Sequence, residues 1–172
     1  MRKVIVETER LKLFAPSSRD FDAFADMWSD GETMKYVGGD GIGWDRERVG
    51  RWLDRQIACH QKNGMSYWTV VNKVNDQVLG QGGLEPIVFN GDEIELGYQL
   101  GKAHWGMGYA TEVAQASVKF GIESLGLERF VALVYPENTA SVQVLEKVGF
   151  GFVGASDLYY DTMMDVYEIV KA

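Results

Sequence analysis

The stretch that most constrains the fold of this chain is Trp-Gly-Met-Gly-Tyr-Ala-Thr-Glu, at residues 105–112. It follows an apolar, strand-like run at residues 94–100 and opens a helical pattern that continues to residue 124. Glycine lets a backbone bend tightly and lets a ligand approach the peptide amides closely. The first amides of a helix lack acceptors within the helix and lie at the positive end of its dipole, so they bind anions. The stretch predicts either a phosphate cradle or an ordinary glycine turn, and taken alone it favours the turn.

Two common nucleotide-binding motifs are missing from the sequence. It has no Gly-x-x-x-x-Gly-Lys-[Ser/Thr] pattern, which argues against a P-loop site for nucleoside triphosphates. Nor does Gly-x-Gly-x-x-Gly follow the first predicted strand, as a dinucleotide-binding fold requires. An anion bound at residues 105–112 would therefore belong to another class of phosphorylated ligand.

The length and composition of the chain predict one globular unit. With 172 residues and 46% hydrophobic content, we expect a single domain over residues 1–172. No apolar run approaches the ~20 residues of a membrane span, and the N-terminus becomes charged too soon for a signal peptide. We therefore expect a cytoplasmic protein that binds no membrane. The net charge of -8 argues against nucleic acid as a partner, because such binding leaves a basic footprint.

The chain contains one cysteine, Cys59, and two histidines, His60 and His104. A lone cysteine cannot form an internal disulfide, and these three residues are too few for a cysteine and histidine metal cluster. We therefore expect no metal.

The spacing of apolar residues predicts an α+β fold. Helical spacing indicates helices over residues 20–28, 45–63, 110–124 and 140–148, each with a glycine one to three residues after its end. Alternating or β-branched runs indicate strands near residues 11–14, 67–71, 78–84, 93–100, 130–134, 150–158 and 165–170. Gly97, inside one of these strands, indicates a bulge or the close approach of another group. The glycine-dense loop at residues 38–43 is either a wall of a substrate cleft or a plain linker.

Three parts of the sequence carry a resemblance to a known family. They are Glu-Leu-Gly-Tyr at residues 95–98, the stretch at 105–112, and Pro-Glu-Asn-Thr-Ala-Ser-Val at 136–142 with Leu-Glu-Lys-Val-Gly-Phe at 145–150. Together they resemble the GNAT superfamily of acetyl-CoA-dependent N-acetyltransferases. The ribosomal-protein alanine N-acetyltransferase (Rim-type) branch is the most similar, since residues 8–11 and 79–84 also match it. The resemblance implies a mixed, mainly antiparallel central sheet with a splayed, bulged strand and flanking helices.

The resemblance also implies acetyl-CoA as co-substrate, with its pyrophosphate on the amides of the glycine stretch and its pantetheine arm along the splayed strand. Trp105 stands where the family pattern has Arg or Gln, and we expect it to be a packing residue. Asn138 either contacts the arm of the cofactor or caps a helix. The expected contact residues are Tyr98, Gln99, Leu100, Gly106, Met107, Gly108, Tyr109, Ala110, Thr111, Asn138 and Ser141.

Acetyl transfer to an amine needs a base for the amine, a donor for the thioester oxygen and a proton for the leaving thiolate. A backbone N–H near Leu100 is the expected donor. The base candidates are carboxylates near the splayed strand, Glu95 first and then Glu93 and Glu85. Ser141 is the expected acid, because some Rim-type enzymes place a serine near the sulfur. The reserve candidates for the acid are Tyr135, Tyr159 and Tyr160.

The activity implied by the resemblance is direct transfer in a ternary complex, without a covalent enzyme intermediate. A protein N-terminal α-amine has a pKa of about 8 and is easier to deprotonate than a lysine near 10.4, so it is the favoured acceptor. The alternative acceptor is a small amine, an antibiotic or a polyamine, selected by loops such as residues 38–43 and 90–91. An alternative from another class of function is a regulatory domain that binds acyl-CoA and catalyses no reaction. A homodimer is a further possibility.

Overall fold

The computed structural model describes residues 2–38, 40–87 and 93–171. The strands of this part of the chain are β1 (Val4–Glu7), β2 (Leu11–Phe14), β3 (Tyr67–Asn72), β4 (Val78–Ile87), β5 (Glu93–Leu100), β6 (Arg129–Val134), β7 (Gly151–Ser156) and β8 (Met164–Val170). The α-helices are α1 (Phe21–Trp28), α2 (Arg46–Asn63), α3 (Tyr109–Leu125) and α4 (Thr139–Val148). The strands form one sheet in the order β1-β2-β3-β4-β5-β6-β8-β7.

The sheet opens between β5 and β6, the only parallel neighbours among its described strands. β4 and β5 stay in register from Gly80↔Leu100 to Ile87↔Glu93. In the described residues, β5 and β6 share a single register pair, Glu95↔Val131. β5 therefore diverges from β6 beyond Glu95, and residues 96–100 have an open backbone edge on that side. Register shifts occur in three other ladders of the described sheet: between Val4 and Val6 of β1, between Val70 and Val71 of β3, and between Phe152 and Gly154 of β7.

Each face of the sheet is covered by a pair of helices. On one face, Trp28 of α1 and Trp52 of α2 pack in an aromatic cluster that includes Tyr67 of β3. On the other face, α3 buries Val113 against a larger core that contains Leu96 of β5. Side chains alternate between the two faces along a strand, so the odd-numbered residues of β5 face α1 and α2 and the even-numbered residues face α3 and α4. The predicted α+β architecture with a splayed strand and flanking helices is confirmed.

The predicted helices also occur close to their predicted bounds, because local signals mark their ends. Asp45 accepts a hydrogen bond from the N–H of Arg48 at 2.7 Å and begins α2. Gly64 and Gly126 follow α2 and α3 with φ of 70° and 67°, a conformation that favours glycine.

The sequence patterns miss β1. This edge strand pairs with β2, with Val6 opposite Leu13, and its ends are exposed. An edge strand packs on few neighbours, so its short apolar run has charged residues on both sides and no regular alternation. After β1 the chain turns through Thr8, whose N–H donates to the carbonyl of Leu11 at 2.9 Å. This turn lies beside the start of α3, because the Thr8 hydroxyl bonds Glu112.

Candidate active site

The N-terminus of α3 contains two glycines in the left-handed region of backbone conformation. Gly106 has φ of 74°, and Gly108, which directly precedes the helix, has φ of 78°. Within the described part of the chain, no side chain caps this helix end, and the N–H groups of residues 106–111 donate to no backbone or side-chain acceptor. The helix end therefore presents a row of unused donors at the positive end of the helix dipole. We call residues 106–111 the cradle.

The N-terminus of α4, in contrast, is closed by a side chain. Oδ1 of Asn138 accepts a hydrogen bond from the N–H of Ser141 at 3.3 Å, and the Asn138 carbonyl accepts one from the N–H of Val142 at 3.1 Å. Asn138 therefore caps α4, which is one of the two roles that the sequence allows for it, and its contact with the cofactor arm stays a prediction.

Trp105 is not the packing residue that its position predicts. Its side chain is 48% exposed, and its indole N–H donates to the carbonyl of Leu100 at 2.8 Å. The expectation was wrong because an indole has a polar atom, and only the fold decides whether that atom finds a partner. This hydrogen bond ties the end of β5 to the turn that precedes the cradle.

The side chains of Gln99 and Leu100 are buried within the protein. The Gln99 amide accepts from Nε2 of Gln81 at 3.1 Å and donates to the sulfur of Met34 at 2.6 Å. Any ligand along this part of β5 therefore meets backbone atoms rather than these two side chains.

Tyr98 lies on the face of β5 that α3 and α4 cover. Its hydroxyl donates to the carbonyl of Ser141 at 3.1 Å, and Oγ of Ser141 lies 2.9 Å from the same hydroxyl oxygen. Burial raises the pKa of Tyr98 to about 12, against the opposing effect of the hydrogen bond with Ser141. The two hydroxyls form a neutral pair beside the open edge of β5.

Glu95 lies on the opposite face, at the register pair beyond which β5 and β6 diverge. Its buried carboxylate accepts hydrogen bonds from the hydroxyl of Tyr160, at 2.6 Å, and from the hydroxyl of Tyr67. Burial raises the pKa of Glu95 to about 7, although both tyrosines lower it. An ordinary glutamate has a pKa of 4.5, so this carboxyl is unusual in exchanging its proton near neutral pH.

Gly97 makes room for one of these tyrosines. A Cβ at position 97 would lie 2.6 Å from both Cζ and the hydroxyl oxygen of Tyr67, which is too close for any atom. The missing side chain lets the ring of Tyr67 lie across β5 and reach Glu95. Sequence reasoning did not identify Tyr67, but the glycine within a strand is the signal that points to it.

Glu85 stands directly opposite Glu95 in the β4–β5 register. It accepts a hydrogen bond from Nε2 of Gln56 at 3.3 Å and lies 3.5 Å from the guanidinium of Arg55. Burial raises the pKa of Glu85, and Arg55 and Gln56 oppose this effect. Glu85 and Glu95 thus place two carboxyl groups side by side on one face of the sheet.

Glu93 has both an ion pair and a tyrosine. Its carboxylate lies 2.9 Å from Arg129 and accepts from the hydroxyl of Tyr159 at 2.6 Å. The consecutive residues Tyr159 and Tyr160 therefore bond alternate carboxylates of β5, on the face opposite Tyr98 and Ser141. The structure brings these two reserve acid candidates to the carboxylates rather than to Ser141. Of the three base candidates, Glu95 alone forms no ion pair with an arginine of the described residues.

The segment between α1 and α2 lies at the open end of the diverging strands. The hydroxyl of Thr33 accepts from the N–H of Lys102 at 3.2 Å, just beyond β5. The hydroxyl of Tyr36 donates to the carbonyl of Glu137 at 3.2 Å, and its ring lies 6.1 Å from that of Tyr135, just beyond β6. These contacts favour the cleft wall over the plain linker for the glycine-dense loop that follows. Gly39 of that loop and the predicted turn at residues 90–91 lie outside the described residues.

The described residues contain no group of three or more His, Cys, Asp and Glu side chains that could hold a metal ion. None of their helices has the length and apolar composition to cross a membrane.

Residues 10–151 match the acetyltransferase (GNAT) domain, over most of the chain and both diverging strands. The chain belongs to the GNAT acetyltransferase family. The predicted family and enzyme class, an acetyl-CoA-dependent N-acetyltransferase, are therefore confirmed.

Proteins similar to this chain in sequence or in structure match it along nearly their whole length. The uncharacterized N-acetyltransferase p20 of Bacillus licheniformis is 31% identical over 166 residues, which cover 93% of this chain and 91% of the relative. RimL, a ribosomal L7/L12 alpha-N-protein acetyltransferase solved with coenzyme A, has a TM-score of 0.83 at 16% identity and 98% coverage of both chains. The spermidine N-acetyltransferase of Vibrio cholerae, solved with CoA and spermine, has a TM-score of 0.76 at 17% identity, covering 95% of this chain and 97% of its own.

Proposed function

We propose that this protein transfers the acetyl group of acetyl-CoA to the α-amine of a protein N-terminus, by direct attack in a ternary complex. The observation that carries the proposal is Glu95, a buried carboxyl with a pKa of about 7 where β5 and β6 diverge. A base with a pKa near the working pH combines a large deprotonated fraction with a useful affinity for the proton. An amine that approaches the open edge of β5 from this face meets such a base.

Acetyl-CoA would occupy the divergence between β5 and β6. The unused N–H groups of the cradle suit a pyrophosphate, because they lie at the positive end of the α3 dipole. The open backbone edge of β5 at residues 98–100 suits the amide groups of a pantetheine arm, which would pair with it as another strand does. A backbone N–H near Leu100 would then donate to the thioester oxygen.

The proposed reaction begins when Glu95 takes a proton from the ammonium group of the acceptor. The neutral nitrogen attacks the thioester carbon and forms the new C–N bond, while the N–H near Leu100 stabilises the negative charge on oxygen. The C–S bond then breaks, and the second proton of the nitrogen passes through water to the departing thiolate of CoA. The hydroxyls of Ser141 and Tyr98 stabilise this thiolate by hydrogen bonding.

The contribution of the hydroxyl pair is expected to be modest. A thiol has a pKa of about 8.5, whereas that of Tyr98 is about 12, so complete proton transfer to the thiolate is uphill. Ser141 and Tyr98 would therefore donate a hydrogen bond to the departing sulfur, and water would complete the protonation.

The pKa of Glu95 also favours one class of acceptor. Transfer from an α-ammonium group with a pKa of about 8 to a carboxylate near 7 is uphill by about 1.4 kcal/mol. Transfer from a lysine or polyamine nitrogen, with a pKa of about 10.4, is uphill by roughly 4 to 5 kcal/mol. The smaller cost supports a protein N-terminus, the kind of substrate named for RimL.

A small polyamine is the second candidate acceptor. Glu85 and Glu95 stand opposite each other on adjacent strands and would attract a molecule with several positive charges. A relative with this fold, the Vibrio cholerae enzyme, is named for spermidine. The ion pair of Glu85 with Arg55 reduces this attraction, which makes the polyamine the weaker candidate.

The test is release of CoA thiol from acetyl-CoA with three acceptors at equal concentration. They are a short peptide with a free N-terminus and no lysine, the same peptide with a blocked N-terminus and one lysine, and spermidine. We expect the largest kcat/KM for the free N-terminus. A larger value for spermidine would reverse the order of the two candidates. Binding of CoA without turnover of any acceptor would favour the non-catalytic acyl-CoA-binding domain.

Three further predictions concern the number of domains, the oligomeric state and the cellular location. One sheet takes strands from residue 4 through residue 170, which supports a single domain over residues 1–172. The homodimer and the cytoplasmic location stay predictions.

A further inference from the structure

The side chain of Arg10, in the turn between β1 and β2, lies on the cradle. Its Nη1 donates to the carbonyl of Met107 at 2.8 Å, and its Nε donates to the carboxylate of Glu112 at 2.7 Å. The guanidinium carbon lies 4.5 Å from the centre of the Tyr109 ring, which it covers. Nη2 would lie 3.4 Å from a Cβ at position 108. One side chain therefore contacts Met107, Tyr109 and Glu112 and lies beside Gly108.

Glu112 holds Arg10 in this position. One oxygen of its carboxylate accepts from the Thr8 hydroxyl at 2.5 Å and from the backbone N–H of Arg10 at 3.0 Å, and the other accepts from the guanidinium. Burial alone would raise the pKa of Glu112, but these hydrogen bonds outweigh it and the pKa lies below its usual value. The carboxylate is therefore charged, and its charge is matched by Arg10.

The bond from Arg10 to Met107 fixes the direction of an amide in the cradle. A trans peptide unit is planar, so its carbonyl oxygen and its N–H point to opposite sides. Holding the Met107 carbonyl against Arg10 therefore turns the N–H of Gly108 away from Arg10. Gly108 is one end of this unit, and a glycine allows many orientations of a peptide plane. Without Arg10, this peptide unit has no side chain among the described residues that bonds its carbonyl.

Arg10 also removes an electrostatic conflict. Glu112 lies in the first turn of α3, close to the amides that would bind a pyrophosphate, and its negative charge opposes an anion there. The guanidinium neutralises this charge and remains 43% exposed beside the cradle. Trp105 has no charge to contribute, and its indole N–H is bonded to Leu100.

We propose that Arg10 is a positioning residue for phosphate binding: it orients the Gly108 amide and neutralises Glu112, so that the cradle accepts the pyrophosphate of CoA. This inference rests on the proposed binding of CoA at residues 106–111. It adds a residue almost a hundred positions away in sequence, whose contacts with Glu112 span 102 positions.

The test compares the binding of CoA with that of pantetheine, which has the same arm and no phosphate. CoA binding is measured by calorimetry, and pantetheine binding by NMR titration of the Trp105 indole signal. We expect Arg10→Ala to raise the Kd of CoA about tenfold and to leave the Kd of pantetheine unchanged within about twofold, since the lost interactions are charged but partly exposed. Arg10→Lys keeps the charge but cannot bond Met107 and Glu112 at once with a planar guanidinium, and we expect the Kd of CoA to rise about threefold.

The matched control is Arg46→Ala. Arg46 also pairs with a carboxylate, Asp22 at 2.5 Å, and covers an aromatic ring, Phe21 at 4.6 Å, but it lies on α2. We expect this variant to bind both ligands as the parent does. Two outcomes would overturn the inference: an unchanged Kd of CoA in Arg10→Ala, or equal weakening of CoA and pantetheine. Should Arg10→Ala not fold, the same comparison with Arg10→Lys decides.

Gly108→Val separates this inference from the proposal on which it rests. Valine strongly disfavours a φ of 78°, and its side chain would also contact the guanidinium of Arg10. If Gly108→Val binds CoA as the parent does, the cradle itself is wrongly assigned. If Gly108→Val loses CoA binding and Arg10→Ala does not, only the role of Arg10 is wrong.

Discussion

On one face of β5, the carboxylate of Glu95 is buried between two tyrosines, and on the other face Tyr98 and Ser141 form a neutral hydroxyl pair. Burial acts on both sides in the same direction, because it disfavours the charged form of an acid. Its chemical consequences differ. It brings the pKa of the carboxyl to about 7, where a base is useful, and takes that of the phenol to about 12, where only hydrogen-bond donation remains. The same physical effect thus suits one face to the amine and the other to the thiol.

The most severe test of this difference between the two faces of β5 is the variant Glu95→Gln. We expect kcat to fall by about 10²- to 10⁴-fold, the usual contribution of a general base, with an unchanged Kd for CoA. In the parent, kcat falls as the pH drops below about 7, because Glu95 becomes protonated; the variant lacks this dependence. The control is Glu93→Gln, on the same face but paired with Arg129. An unchanged pH profile in Glu95→Gln would remove Glu95 as the base.

The same variant tests whether burial of Glu95 costs stability. The folded protein binds this proton with a pKa of about 7 against an ordinary value of 4.5, so the contribution of Glu95 to stability declines as the pH rises from about 4.5 to 7. Over this pH range, the contribution of Glu95 to the free energy of unfolding falls by about 3 kcal/mol. We therefore expect Glu95→Gln to be more stable than the parent at pH 8, and the advantage to shrink at pH 5. Urea unfolding at both pH values measures it, and a pH-independent difference would contradict the prediction.

A smaller effect is expected from Tyr67→Phe, which leaves the carboxylate in place and removes one donor. The hydrogen bond from Tyr67 lowers the pKa of Glu95, so its loss moves the acidic limb of the pH profile upward. We expect roughly a three- to tenfold loss of kcat at pH 7 that is recovered at pH 9. A loss of the same size at both pH values would contradict this prediction, because the Tyr67 hydroxyl would then not act through the pKa of Glu95.

The smallest effect is expected on the other face, from Ser141→Ala. Tyr98 keeps its hydroxyl and can turn its one proton from the carbonyl of residue 141 to the sulfur, so we expect kcat to fall only by about two- to tenfold. The Kd of CoA should not change, because the proposed binding uses backbone atoms. Weaker CoA binding at an unchanged kcat would reassign Ser141 to cofactor binding. A loss as large as that of Glu95→Gln would contradict the difference between the faces.

Much of the fold was predictable from the sequence because its signals are local. Apolar spacing and following glycines located the four α-helices, and β-branched runs located every described strand except β1. Edge strands give weak patterns, since fewer of their side chains are buried. The roles of single polar side chains were harder to predict. Trp105 makes one decisive hydrogen bond, to Leu100, and nothing in the local sequence selects that partner. For Asn138 the sequence offers the helix cap that bonds Ser141, but it does not decide between that cap and a cofactor contact.

By itself, the sequence determined the family, the helix start at residues 105–112 and the short set of carboxylates from which a base is drawn. These follow from residue types at close spacing, where backbone geometry leaves few choices. Only the tertiary structure decided that Glu95 has the raised pKa, that Tyr67 and Tyr160 bond it, and that Arg10 lies on the cradle. Tyr160 is 65 residues from Glu95, and Arg10 is 102 from Glu112. Burial and such distant contacts exist only when the sheet has assembled, so no local pattern encodes them.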